Sequence, residues 1–285
     1  MNFRTTEGLG GAAAFALVVL GASITYGVFL TYSLVVGGPA GAEYTSASDD
    51  VDRLRWMYAL APACGLSVAA YIGWSLGLSD QRVRESLKLS SAGMPLLLIA
   101  FFAGVCFQFP LSELGNWIYE VKPMSLEKQL ELRRLLEPSD WSGTLGALFG
   151  LVVVPAIFEE LLFRGVLLPG LVHRYGMLRA VLLSSLLFAL SHLALAAVIY
   201  AMVGGVVFAL LRLRTGSLWV PVAMHMGVNI VPLVLSPSLL PIRGFNVVSE
   251  QALHLPWWLV VMSCCGVACG VALLWRFASP GDVDE

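Results

Sequence analysis

The sequence predicts an all-α protein, a polytopic bundle of transmembrane helices with about eight spans. Composition is the first reason. Of 285 residues, 58% are hydrophobic and 13% charged, at a mean hydropathy of +0.81, whereas soluble domains carry about 25% charged residues. The second reason is the distribution of charge. Long stretches lack it altogether, on the scale of the roughly 20 apolar residues that a helix needs to cross the hydrocarbon core.

In chain order, Arg4 precedes residues 8–42, which hold no charge. That run far exceeds the roughly 7–15 residues of a signal-peptide core. It is therefore read as a retained first span, although Ala40-Gly41-Ala42 has a cleavage-like pattern. Charge-free windows at 56–79, 89–112 and 251–275 predict spans two, three and eight. A fourth span begins at Trp141 and stays apolar until Glu159. Between 166 and 211 only Arg174 and Arg179 interrupt, leaving room for two shorter spans, and a seventh covers 215–236. Segment 80–88 is a charged link. Segment 124–137 alternates Leu126, Leu130, Leu132, Leu135 and Leu136 with Glu, Lys and Arg. It predicts an amphipathic helix, either resting on the membrane surface or solvated.

Residues 1–285 show no repeat, low-complexity tract or soluble module and are read as a single membrane domain. With the N-terminus cytoplasmic, ten Lys/Arg fall inside and seven outside. The expected orientation therefore has both termini cytoplasmic, and the Ala/Gly/Leu/Val bias suits a bacterial inner (plasma) membrane. A net charge of -2 without a basic cluster argues against a nucleic-acid partner. Cys64, Cys106, Cys264, Cys265 and Cys269 lie in apolar stretches with no C-x-x-C pair and read as packed or lipid-facing thiols.

Ionisable side chains inside a span cost several kcal/mol, about 2.5–3.5 on insertion scales, and mark function by default. Three clusters qualify. In Pro155-Ala156-Ile157-Phe158-Glu159-Glu160-Leu161-Leu162-Phe163-Arg164-Gly165, Glu160 and Arg164 share a helical face and can pair. Glu159 points about 100° away without a local partner. A carboxylate free of a cation in apolar surroundings suits general acid–base work. Pro155 should loosen the preceding turn at the carbonyl of Leu151. A buried ion pair that only specifies packing explains Glu160 and Arg164, but not Glu159. Phe188-Ala189-Leu190-Ser191-His192 places an imidazole in an apolar helix. His225-Met226-Gly227-Val228-Asn229 places His and Asn one turn apart, with a glycine between them that permits close approach of a helix or substrate backbone. Either cluster alone is compatible with interhelical hydrogen bonding. Together they supply a base for water and donors for an oxyanion.

These clusters resemble the signatures of the CAAX prenyl protease and bacteriocin-processing family, described as intramembrane metalloproteases, over about residues 141–237. Glu159, Glu160 and Arg164 match its E-E-x-x-x-R motif, Phe188 and His192 its F-x-x-x-H motif, and His225 and Asn229 its H-x-x-x-N motif. The resemblance implies an endopeptidase acting on a membrane-associated, prenylated or unprenylated, peptide or protein. It implies that Glu159 and His192 activate water, that His225 and Asn229 form the oxyanion hole, and that Glu160 and Arg164 position them. Two readings of cofactor use stand side by side. Either Glu159, His192 and His225 ligate one divalent metal, zinc being the candidate, or the same residues act without metal. The absence of an H-E-x-x-H pattern favours the latter.

Two other functions compete. A proton- or ion-coupled transporter also uses intramembrane Glu, Arg and His, yet the sequence lacks the internal symmetry of paired broken helices. A non-catalytic scaffold has no need of the whole set. Elsewhere, His173 and His254 read as surface loop residues, and Gln108, Glu113 and Asn116 as an interfacial cap or a cavity mouth.

Overall fold

The computed structural model describes residues 10–36, 48–75, 92–138, 140–192 and 194–277. Nine helices occur among them: α1 (Gly11–Val36), α2 (Ser48–Ser75), α3 (Met94–Val121), α4 (Leu126–Leu136), α5 (Trp141–Tyr175), α6 (Met177–Leu190), α7 (Leu195–Thr215), α8 (Trp219–Val234) and α9 (Trp257–Phe277). Six are long and apolar enough to cross a membrane, and α6 and α8 are shorter apolar helices. The total agrees with about eight spans. Phe15, Phe102, Leu178, Trp258 and Met262 project outward, as side chains do when lipid rather than water surrounds a bundle. The chain is an integral membrane protein.

The principal difference from the sequence reading lies in α5. The fourth span was expected to end near Glu159, but the helix continues for 35 residues to Tyr175. Glu160 and Arg164 do not break it because they are buried and paired within the bundle. The stop is Gly176, whose φ of 77° turns the chain directly into α6. His173 and Arg174, expected in a loop, therefore lie in the last turn of α5, both exposed. Two π-helical turns, Leu148–Val153 and Leu161–Leu167, flank the segment Val154–Glu160. The first immediately precedes Pro155, which has no N–H for the usual i→i−4 bond. Such widened turns re-aim the side chains that follow them.

Helix α4 starts at Ser125, whose Oγ accepts from Lys128 N (3.3 Å). Its far end is held by Arg55 of α2, 2% exposed, which donates from Nε to Leu135 O (3.0 Å) and from Nη2 to Arg134 O while Nη1 pairs with Asp52. The carbonyls left open at a helix C-terminus are thereby satisfied by a cation. The amphipathic segment is thus docked against α2 rather than free.

The segment after α8 is anchored to α3. His254, read from the sequence as a surface residue, bridges Glu113 (2.7 Å) and Glu120 (2.9 Å) and packs on Trp117 at 4.7 Å between ring centroids. Glu113 also accepts from Leu255 N (2.9 Å), and Asn116 donates to Gly244 O (2.7 Å). Hydrogen bonds to Glu120 and Glu113 raise the pKa of His254 above its ordinary value.

Two apolar cores meet at the centre. One joins α1, α2, α5, α6 and α7 around Leu162, Phe163, Leu167 and Phe188. The other joins α3, α7, α8 and α9 around Phe107, Phe208, Met224 and Leu274. The three charged or polar motifs lie where these cores abut.

Candidate active site

Arg164 is fully buried on α5. Its Nη1 donates to Glu160 Oε1 (2.8 Å), the i, i+4 pair, and its Nη2 donates to the carbonyl of Gly205 on α7 (3.1 Å). The guanidinium carbon lies 4.4 Å from the ring centroid of Phe188, 5.5 Å from Phe208 and 5.9 Å from Phe163. A cation can be buried here because a carboxylate, a carbonyl and three ring faces replace its hydration.

Glu160 is equally buried, and its Oε1 also meets His225 Nδ1 of α8 at 3.0 Å. That oxygen is an acceptor, so Nδ1–H donates and the tautomer is set, leaving Nε2 on the far side of the ring. Nε2 lies 3.9 Å from Glu159 Oε2. The His225 ring stacks on Phe208 (5.1 Å, 23°) and receives the edge of Phe188 (6.0 Å, 90°), so hydrogen bond and aromatic packing hold it in one orientation. Glu159, with 19% of its side chain exposed against 7% for His225 and none for Glu160, is the carboxylate that faces outward from this cluster.

His192 occupies the turn after α6. That helix has 14 residues, a rise of about 21 Å against a hydrocarbon core of about 30 Å. A helix of that length rooted at one face of the bilayer ends inside it. His192 Nδ1 lies 3.0 Å from the carbonyl of Phe188, one of the open carbonyls at the helix end, and its ring contacts Phe188 at 4.9 Å. Nδ1–H therefore donates to this carbonyl, and Nε2 makes no hydrogen bond among the described residues. Asn229, one turn beyond His225 on α8, is half-buried and its side chain takes no hydrogen bond among the described residues. The close approach at Gly227 is made by α3: a Cβ at Gly227 would lie 2.0 Å from Phe101 O.

The structure thus joins Glu159, Glu160, Arg164 and His225 in one connected cluster, and Phe188 carries both imidazoles against its ring. The sequence reading paired Glu159 with His192. In the fold, the imidazole of His225 comes within 3.9 Å of Glu159, because α8 packs beside α5, and His192 binds the end of its own helix through Nδ1. The residues also bear on the metal reading. Among the described residues no three His, Cys, Asp or Glu gather closely enough to hold an ion. Glu159 and His225 form a pair only, and the set Glu159, His192 and His225 is not assembled as three ligands.

Sequence reasoning did not anticipate the aromatic box around Arg164 or the carbonyl of Gly205 that helps hold it. Phe163 and Phe208 lie in uniformly apolar helices, where a ring that packs on a cation reads no differently from one that faces lipid.

Fold and site together define a polytopic α-helical membrane protein with a buried Glu–Arg–His network at the centre of its bundle. Residues 141–231 match the family model described as type II CAAX prenyl endopeptidase Rce1-like. The matched segment runs from the start of α5 into α8 and contains Glu159, Glu160, Arg164, His192, His225 and Asn229. Among curated proteins, the chain is similar to YdiL of Bacillus subtilis (strain 168), whose name proposes a membrane peptidase, at 30% identity over 93 residues. That similarity covers 33% of this chain and 37% of YdiL. No solved structure matches.

Proposed function

We propose that the chain is an intramembrane endopeptidase that hydrolyses a peptide bond of a membrane-associated, prenylated or unprenylated, protein or peptide. The observation that carries this reading is the 3.9 Å separation of Glu159 Oε2 and His225 Nε2, with Glu160 and Phe208 fixing the imidazole. Two polar atoms at that distance can share one water about 2.8 Å from each, approached from the side at nearly a right angle. Glu159 accepts a proton from that water as its oxygen adds to the scissile carbonyl carbon. The proton then passes to the leaving nitrogen as the C–N bond breaks, giving a carboxylate and an amine. The carboxamide of Asn229 donates to the tetrahedral oxyanion, while Nε2 of His225, an acceptor in this tautomer, holds the attacking water beside Glu159. His192 offers the lone pair of Nε2 from the α6–α7 turn as the acceptor that carries the proton on from Glu159 to the leaving nitrogen. Glu160 and Arg164 are positioning residues, since they act through His225. The basic-residue distribution supports both termini lying in the cytoplasm, and the Ala/Gly/Leu/Val bias supports a bacterial inner membrane.

The test uses the full chain reconstituted in lipid. Glu159→Gln and His192→Ala should each reduce cleavage of membrane peptides by about 10²–10⁴-fold while melting temperature and elution volume stay unchanged. Cleavage that survives both substitutions defeats the proposal. Ion flux in proteoliposomes that disappears with Glu159→Gln, in the absence of cleavage, assigns the site to transport instead.

A further inference from the structure

A second recess lies beyond the site, between the C-terminal half of α3, helix α4 and the irregular segment 236–253, with a cavity volume of about 280 Å³. Pro232 of α8 lines it. His225, Asn229 and Pro232 follow the i, i+4, i+7 spacing and so form one stripe along α8. The cavity therefore continues the helix face that carries the site. From His225 to Pro232 the helix rises about 10 Å, the length of about three residues of extended peptide.

The outer wall of the cavity is main chain in search of partners. Ser249 exchanges two hydrogen bonds with the side-chain amide of Gln129 on α4, from Ser249 N to Oε1 (3.1 Å) and from Nε2 to Ser249 O (2.8 Å). A side-chain amide there does what a neighbouring strand would do. On either side, the backbone groups of Val247, Val248, Ala252 and Leu253 take no hydrogen bond among the described residues. Unpaired N–H and C=O groups along a segment are a template for an added strand.

Charge restricts the occupant. Arg133, the only cation among the described lining residues, is paired with Glu137 at 3.0 Å, and Glu250 adds an exposed carboxylate. A terminal carboxylate or a phosphate would meet no free cation there. The other polar groups, including Gln108, Asn116 and Asn246, are neutral. We propose that this cavity receives an interior, uncharged, extended stretch of the substrate peptide, about three residues from the scissile bond, paired through its main chain with residues 247–253. The inference rests on the peptidase reading of the α5–α8 site.

The probe is a capped pentapeptide of Ala and Val with a central benzoylphenylalanine, photolysed with the full chain in lipid nanodiscs. Crosslinks are mapped by mass spectrometry in the unaltered chain and in Glu159→Gln, beside a second probe ending in a free carboxylate. Crosslinks should fall in 245–253 and α4 in both backgrounds and be competed by the same peptide lacking the photoreactive group. Labelling should drop about tenfold for the carboxylate probe and for Val248→Trp, which fills the cavity. Leu132→Trp fills it from the α4 wall and replaces Val248→Trp if that variant fails to fold. Crosslinks elsewhere, equal labelling by both probes, or labelling unchanged in the tryptophan variant overturns the inference. Cavity labelling with cleavage retained in Glu159→Gln overturns the peptidase reading and leaves the docking assignment standing. Cleavage lost in Glu159→Gln without cavity labelling does the reverse.

Discussion

Gly227→Ala tests whether the position of α8, and with it the site, depends on one close helix crossing. A Cβ at residue 227 would lie 2.0 Å from Phe101 O, 2.9 Å from Phe101 C and 3.0 Å from Val105 N, all backbone atoms of α3. The contact is reciprocal, because a Cβ at Gly104 would lie 2.0 Å from Met224 O. Backbone cannot rotate away as a flexible side chain can. To restore an ordinary contact of at least 3.4 Å from 2.0 Å, the helices must part by about 1.4 Å, and overpacking of this kind costs about 1–3 kcal/mol. The larger effect falls on chemistry. His225 and Asn229 ride on α8, and a displacement of about 1 Å in a catalytic group can cost about 10²-fold in rate. The expected result is a lowered melting temperature in detergent and a cleavage loss of that order, shared by Gly104→Ala. Gly27→Ala on α1 is the control, since nothing lies within 4 Å of a Cβ there, and it should leave both quantities unchanged. If Gly227→Ala melts and cleaves like the unaltered chain, the crossing does not set the site and the packing argument is wrong.

Three further outcomes follow from the same geometry. Arg164→Met leaves Glu160 buried without its cation and should destabilise the protein by about 3–5 kcal/mol; Arg164→Lys restores the charge but not the bond to Gly205 O, so thermal unfolding should place it between the two. Arg55→Ala removes the donors that hold the end of α4 and should expose 126–136 to limited proteolysis while the melting of the bundle changes little. The His254 clamp should depend on pH. Its two carboxylate partners need both ring N–H groups, and its pKa is raised in the folded state, so the stabilisation is complete below the unfolded value of about 6.5 and is lost as pH rises through the higher folded value. Protease cleavage within 235–256 should therefore accelerate on the alkaline side, and His254→Ala should cleave rapidly at every pH.

Much of the architecture was legible because its causes are local. A span is recognised from some 20 successive apolar residues, which is why eight apolar helices were expected from hydropathy alone. The Glu160–Arg164 pair was legible for the same reason, since i, i+4 spacing is a property of one helix. The extent of α5 was not, because charges that would end a span when facing lipid continue it when a bundle buries and pairs them. The bridge that His254 makes was not legible because its two carboxylate partners lie more than 130 residues earlier in sequence.

What the chain determined by itself was the inventory: apolar helices, a carboxylate without a local partner, two imidazoles and a carboxamide. Tertiary structure decided which of these meet. Glu159 meets His225 because glycines let α8 lie against α3, Phe208 of α7 stacks on the imidazole, and Glu160 holds its Nδ1. Each of those contacts joins different helices. The register of one helix against another is set by packing, which hydropathy and helical periodicity along a single segment do not encode.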